Sequence, residues 1–166
     1  MKKRTWSIVL IVIVAVAACV GIYFASRPTT PVEPNPPVVE PGTSTSVVLY
    51  VPDETVETLT PVGAEVADDS DQALVDALVE ANALPAGCEI QSSKEAEGVL
   101  TLDMNVVYGN AVRSSGTAGE TMLVYSLVNT FIQARGVDKV MITIDGGLLE
   151  TGHAVYDTPL EMDYTS

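Results

Sequence analysis

The chain changes its hydrophobic pattern three times. From Trp6 to Ala25 it carries no charged residue, and Lys2, Lys3 and Arg4 stand just ahead of that run. Twenty residues at about 1.5 Å rise cover about 30 Å, the thickness of a bilayer's hydrocarbon core. The run predicts a transmembrane helix over 6–25 behind a cytoplasmic N-terminus over 1–5, because Lys and Arg mark the cytoplasmic side. A linker over 26–45 follows, with six prolines between Pro28 and Pro41. Proline removes backbone donors and favours polyproline II, so this stretch reads as a tether of up to about 50 Å. The remaining residues, 46–166, show the short periods of a folded domain, expected outside the cytoplasm.

Within that domain Ser46–Val51 is β-branched and aromatic, and Pro52-Asp53 stops it, which predicts a strand. Val56–Leu59 and Val62–Val66 are weaker strand candidates returning beside it. Asp69 and Gln72 have capping-box spacing ahead of Leu74, Val75, Leu78 and Val79, predicting a helix that ends near Asn82. Glu89–Ser93 is a weakly marked strand. Val99–Met104 is a clearer one, with Leu100, Leu102 and Met104 on one face, and Lys94–Gly98 as the hairpin loop. A second capping box, Thr117 and Glu120, opens the strongest helix, where Val124, Leu127, Val128 and Phe131 fall at i, i+3, i+4 and i+7. Leu123 and Ile132 widen that stripe, and Gly136 is placed to end it. Val140, Ile142 and Ile144 then alternate to Asp145-Gly146, and Leu148–Ser166 holds at most short strand pieces. The order β(β)-α-β-β-α-β predicts an α+β two-layer sandwich, a mostly antiparallel sheet with two helices on one face.

Charge narrows the partners. After Arg27 there are 22 acidic residues against Lys94, Arg113, Arg135 and Lys139, a net −18. Such a field repels phosphates and anionic lipid, arguing against nucleic acid and membrane-surface binding. It is compatible with cationic partners and with solubility alone. The N-terminal run has three open fates: an uncleaved anchor, a cleaved signal peptide, or a lipoprotein. The apolar run continues through Val20, Ile22, Tyr23 and Phe24, past the roughly 7–15-residue core of a signal peptide, which favours the anchor. Val16-Ala17-Ala18-Cys19 resembles a lipobox, making Cys19 a candidate lipidation site, although the run extends six residues beyond it. Cys88 is left without an intrachain partner across the membrane boundary; burial and a link between two copies are both open to it.

Candidate chemistry is thin. A Ser-His-Asp arrangement would have to use His153, the one histidine, but there is no Gly-x-Ser-x-Gly elbow and His153 falls in a loop-like tail. It reads as an exposed turn residue. Asp68, Asp69 and Asp71 lack the spacing of a calcium loop and suit a helix N-terminus. The stretch Gly109–Gly119, with Ser114, Ser115, Gly116 and Thr117, reads as a flexible loop and a possible contact surface. No catalytic, cofactor-binding or metal residues are assigned, and no cofactor is expected.

The domain resembles the GerMN domain family. The resemblance covers Val47 to Tyr164 and rests first on Leu49-Tyr50-Val51-Pro52-Asp53 and Val99-Leu100-Thr101-Leu102-Asp103. It continues through Leu127-Val128-Asn129-Thr130-Phe131 and Gly136-Val137-Asp138-Lys139-Val140-Met141-Ile142-Thr143-Ile144-Asp145-Gly146, and closes on His153 with Asp157-Thr158-Pro159-Leu160. It implies a bacterial extracytoplasmic, non-enzymatic module that binds an envelope protein or itself, in sporulation, germination or envelope assembly. A similarity to ring-building domains of sporulation channels implies self-association. The founding member carries two such domains; this chain has room for one. The alternative is a lipoprotein-type protein that binds a small ligand or cation at the cell surface.

Overall fold

The structure, a computed structural model, describes residues 44–163. The predicted membrane span, Cys19 and the tether up to residue 43 lie outside the described residues. The chain divides into two units, Met1–Val39 and Glu40–Ser166, and the described residues belong to the second. No helix among them is long and apolar enough to cross a membrane.

The elements are β1 (Thr45–Pro52), β2 (Leu59–Val66), α1 (Asp71–Glu80), β3 (Ile90–Ala96), β4 (Val99–Met104), α2 (Val106–Ser114), α3 (Gly116–Arg135), β5 (Lys139–Ile144), β6 (Gly147–Glu150) and β7 (Val155–Tyr156). The α+β class is as expected, but the strands make two sheets and the helices number three among the described residues. β1 and β2 form a separate two-stranded ribbon, and β3-β4-β5-β6-β7 form the main sheet. Three of its four pairings are antiparallel, while β4 and β5 are parallel. Parallel neighbours need a long crossover, and α2 with α3 supplies it.

Local chemistry sets the turns. Asp53 closes the ribbon: its carboxylate accepts the Glu57 and Thr58 amides at 3.0 and 3.4 Å and the Thr55 and Thr58 hydroxyls at 2.9 and 3.1 Å. Those bonds, the Glu57 amide foremost, hold its pKa at about 2. They also hold Val56 at φ 58°, a conformation a β-branched residue rarely adopts. Of the weak strand candidate Val56–Leu59 only Leu59 is strand, the rest belonging to the turn, and β2 begins there. Two further hairpins use two-residue turns with both φ positive, Glu97-Gly98 and Asp145-Gly146, as the strand twist requires. Strand β3 consequently runs to Ala96, further than the loop expected over Lys94–Gly98. Asp103 pins the second hairpin, accepting the Thr143 hydroxyl at 2.7 Å and the Gly146 amide at 2.8 Å.

Two capping assignments are corrected. Ser70, not Asp69, caps α1 by accepting the Ala73 amide at 3.1 Å, and Gln72 instead reaches across to accept the Ile90 amide at 2.9 Å. Helix α1 ends as expected near Asn82, with the Ala83 amide on the Leu78 carbonyl and the Asn82 amide on the Val79 carbonyl. The Thr117–Glu120 box does not form. Helix α3 follows α2 after the single residue Ser115, which makes no side-chain cap, and Glu120 turns inward. Gly109–Gly119, read as a loop, is mostly helix. Asn105 starts α2 by accepting the Tyr108 amide at 3.2 Å, and Gly109 lets the helix approach Ile144, where a Cβ would lie 3.0 Å from that side chain. The C-terminal end of α3 is as expected, with Gly136 at φ 66°.

The core lies between the helices and the inner sheet face. Leu100, Leu102, Met104, Val140, Ile142 and Ile144 are buried there with Leu49 and Val66 of the ribbon and Leu74, Val75 and Leu78 of α1. Helix α3 departs most from its predicted single stripe: Ser126 to Phe131 are six consecutive buried residues. Over that stretch the helix is buried all round and lies in the interior, while Gly116, Thr117, Ala118 and Gln133 are exposed. Its Thr130 accepts the Tyr50 amide of β1 at 2.9 Å, and its Asn129 holds the tail by donating to the Asp163 carbonyl at 2.7 Å and accepting the Asp163 amide at 3.1 Å.

Replacing Thr130 by Val keeps the shape and leaves the Tyr50 amide without its acceptor, so urea denaturation is expected to show a loss of about 1–3 kcal/mol at unchanged m-value. The depressed carboxyl of Asp53 contributes stability that is present above the unfolded value of about 3.9 and is lost as pH falls towards the folded one. Acid titration of the fold is expected to show a component between about pH 4 and pH 2 that Asp53→Asn removes.

Candidate interaction surface

The residues singled out for chemistry are dispersed. His153 is exposed in the turn between β6 and β7, where its amide donates to the Thr151 hydroxyl at 3.1 Å. The acidic trio before α1 is engaged structurally. Asp69 and Asp71 pair with Arg135 at 2.6 and 2.7 Å, and Asp68 accepts the Ser70 amide at 2.8 Å. Among the described residues no three His, Cys, Asp or Glu side chains gather as a metal set. Cys88 is buried, and desolvation raises its thiol to about 11, so it is held as an unreactive core residue.

Sequence reasoning missed a buried carboxylate. Glu120, 3% exposed, accepts the Thr151 hydroxyl and the Tyr156 hydroxyl through Oε1, each at 2.9 Å, while its Oε2 is buried without a hydrogen-bond partner. Burial, then the bond to Glu120, raises the Tyr156 phenol above its ordinary range. The arrangement ties both ends of the β6–β7 segment to α3. Three positions after Thr117, Glu120 reads from the sequence as a capping partner; the structure places it inside α3, which follows α2 after one residue.

The surface offers shallow hollows. One of about 340 Å³ lies between the end of β2 and the outer side of α1, where Glu65, Asp68, Asp76 and Glu80 stand with no Lys, Arg or His among the lining residues. Glu65 accepts the Ser46 hydroxyl, which lowers its pKa, and the Ser70 hydroxyl and amide lower that of Asp68. Another, of about 470 Å³, is lined by Leu84, Pro85, Ala111 and Leu123 among others. None of the five buried polar residues Asn105, Glu120, Ser126, Asn129 and Thr130 lines either hollow.

A family model described as Germane, sporulation and spore germination, matches residues 38–150. The chain belongs to the Germane family. The match spans the ribbon, all three helices and the sheet as far as β6. Among solved structures, the tandem GerMN domains of the sporulation protein GerM from Bacillus subtilis align at 18% identity with a TM-score of 0.50, covering 74% of this chain and 45% of that one. The first GerMN domain of the same protein aligns at 18% identity with a TM-score of 0.45, covering 73% of this chain and 97% of that one. This chain thus spans less than half the length of the tandem structure. No curated protein matches it. The resemblance read from the sequence to GerMN domains is correct.

Glu120→Ala takes the acceptor from the part-buried Tyr156 hydroxyl, leaves Thr151 only its longer bond to the Ala154 carbonyl and opens a void, and is expected to cost about 1–3 kcal/mol in thermal melts. Glu120→Gln keeps an acceptor and is expected to cost less.

Proposed function

We propose that this protein is a single-pass membrane protein whose acidic Germane domain, held outside the cytoplasm on a Pro-rich tether, binds an envelope protein or a second copy of itself. The role is non-enzymatic assembly in sporulation, germination or envelope building. One observation carries the reading: the polar residues shared with the family pattern are used to position the chain. Asp53 closes the ribbon, Asp103 and Asp145-Gly146 shape a hairpin, Asn129 and Thr130 clasp neighbouring segments, and Gly136 ends α3. A module whose distinctive polar residues build its frame acts through its surface. That surface is strongly negative, and a tether of up to about 50 Å lets it search beyond the bilayer.

Crosslinking in intact cells, with the full-length protein carrying photoreactive residues at several exposed positions, tests the proposal. A discrete protein neighbour, or a crosslinked dimer, is the expected result. No neighbour at any position, together with a monomer in sedimentation of the detergent-solubilised chain, would overturn it. A calcium-dependent rise in melting temperature under those conditions would favour the cation-binding alternative.

A further inference from the structure

The ribbon leaves one strand edge open. In an antiparallel pair, residues alternate between exchanging hydrogen bonds with their partner and directing both backbone groups away from it. The Tyr50 amide donates to Thr130, so Tyr50 and its register partner Pro61 form a pair that points outward. The register runs without a bulge from Thr45–Val66 to Pro52–Leu59, so Gly63 and Glu65 share the phase of Pro61. Their N–H and C=O groups face away from β1, on an edge where no further strand pairs among the described residues. Pro61 has no N–H and blocks pairing at its own position. Gly63 has open space around its missing Cβ, so nothing covers the ribbon face beside this edge.

The other edges are guarded. On β1 the outward Tyr50 amide is taken by α3. Strand β3 carries a register shift between Ile90 and Ser92 and presents Lys94, and β7 has two residues.

Resting on the protein-binding reading above, we infer that the β2 edge at Gly63–Glu65 takes an extended Lys/Arg-rich segment of a partner protein as an added strand. Charge selects the occupant. The edge runs into the hollow of about 340 Å³ whose walls carry Glu65, Asp68, Asp76 and Glu80, with Ala73 and Ala77 as low ground between them. Among the described residues none of the four carboxylates is in an ion pair, whereas Asp69 and Asp71 already hold Arg135. A second copy pairing edge to edge would bring two such acidic margins together, and like charges side by side repel. An alternating basic segment instead hydrogen-bonds to the edge and sets its cations among the carboxylates.

The test uses the full-length protein in non-ionic detergent and a fluorescein-labelled ten-residue peptide alternating Lys with Thr; a peptide with Glu in place of Lys is the control. Saturable binding of the basic peptide at low salt is expected, with slower hydrogen exchange at the Gly63 and Glu65 amides. Asp76→Asn/Glu80→Gln is expected to weaken binding by about tenfold, and the charge-matched Glu54→Gln/Glu95→Gln by less than about twofold. Equal weakening by both pairs, unprotected Gly63 and Glu65 amides, or no saturable binding would overturn the inference. A photocrosslinker at Ala77 separates the two proposals. A cellular neighbour found on another face and absent at Ala77 removes this surface and leaves the protein-binding reading standing; no neighbour anywhere removes both.

Discussion

A helical stretch enclosed by protein can place its polar side chains only against other parts of the same chain, and the middle of α3 is such a stretch. Ser126 to Phe131 are buried without a break. Thr130 therefore meets β1, Asn129 meets the backbone of Asp163, and Glu120, one end of the helix away, meets Thr151 and Tyr156. Each unpaired group would cost about 1–3 kcal/mol, so these contacts fix where the ribbon, the tail and the β6–β7 segment can lie. The ribbon's phase follows from the Thr130 contact: with the Tyr50 amide turned to the helix, β1 has one edge for β2 and the outer edge of β2 is left over.

Much of the frame was legible because its signals are local. Alternation marked β4 and β5, Gly136 marked the end of α3, and Asp145-Gly146 marked the end of β5, where the structure adds a hairpin whose two positive φ values suit that pair. Failures came where tertiary contacts override a local rule. Helix α2 has β-branched Val106 and Val107 and a central Gly109, all poor helix formers. Asn105 and the i, i+4 pair Tyr108 and Val112 were the signals for it. Glu120 looked like a cap because its position depends on α2. The two-sheet division was hidden for a related reason. Strand patterns record which face is buried, and they do not say that β1 pairs with β2 alone and lies along α3.

The acidic composition gains a location from the fold. Asp69 and Asp71 are spent on Arg135, and Glu161 pairs with Lys139 at 2.8 Å. The carboxylates around the β2–α1 hollow keep their charge for solvent or for a partner. Exposed ion pairs contribute little singly, so binding there depends on several of them acting with a backbone edge.

The ribbon's phase underlies both the fold and the surface, and amide hydrogen exchange of the unliganded protein, read residue by residue, tests it most directly. The account predicts that the Tyr50 amide, on the side of β1 away from β2, exchanges as slowly as the buried amides of α3, while Gly63 and Glu65 exchange as fast as loop residues. A fast Tyr50 amide, or protected amides at Gly63 and Glu65, would contradict it.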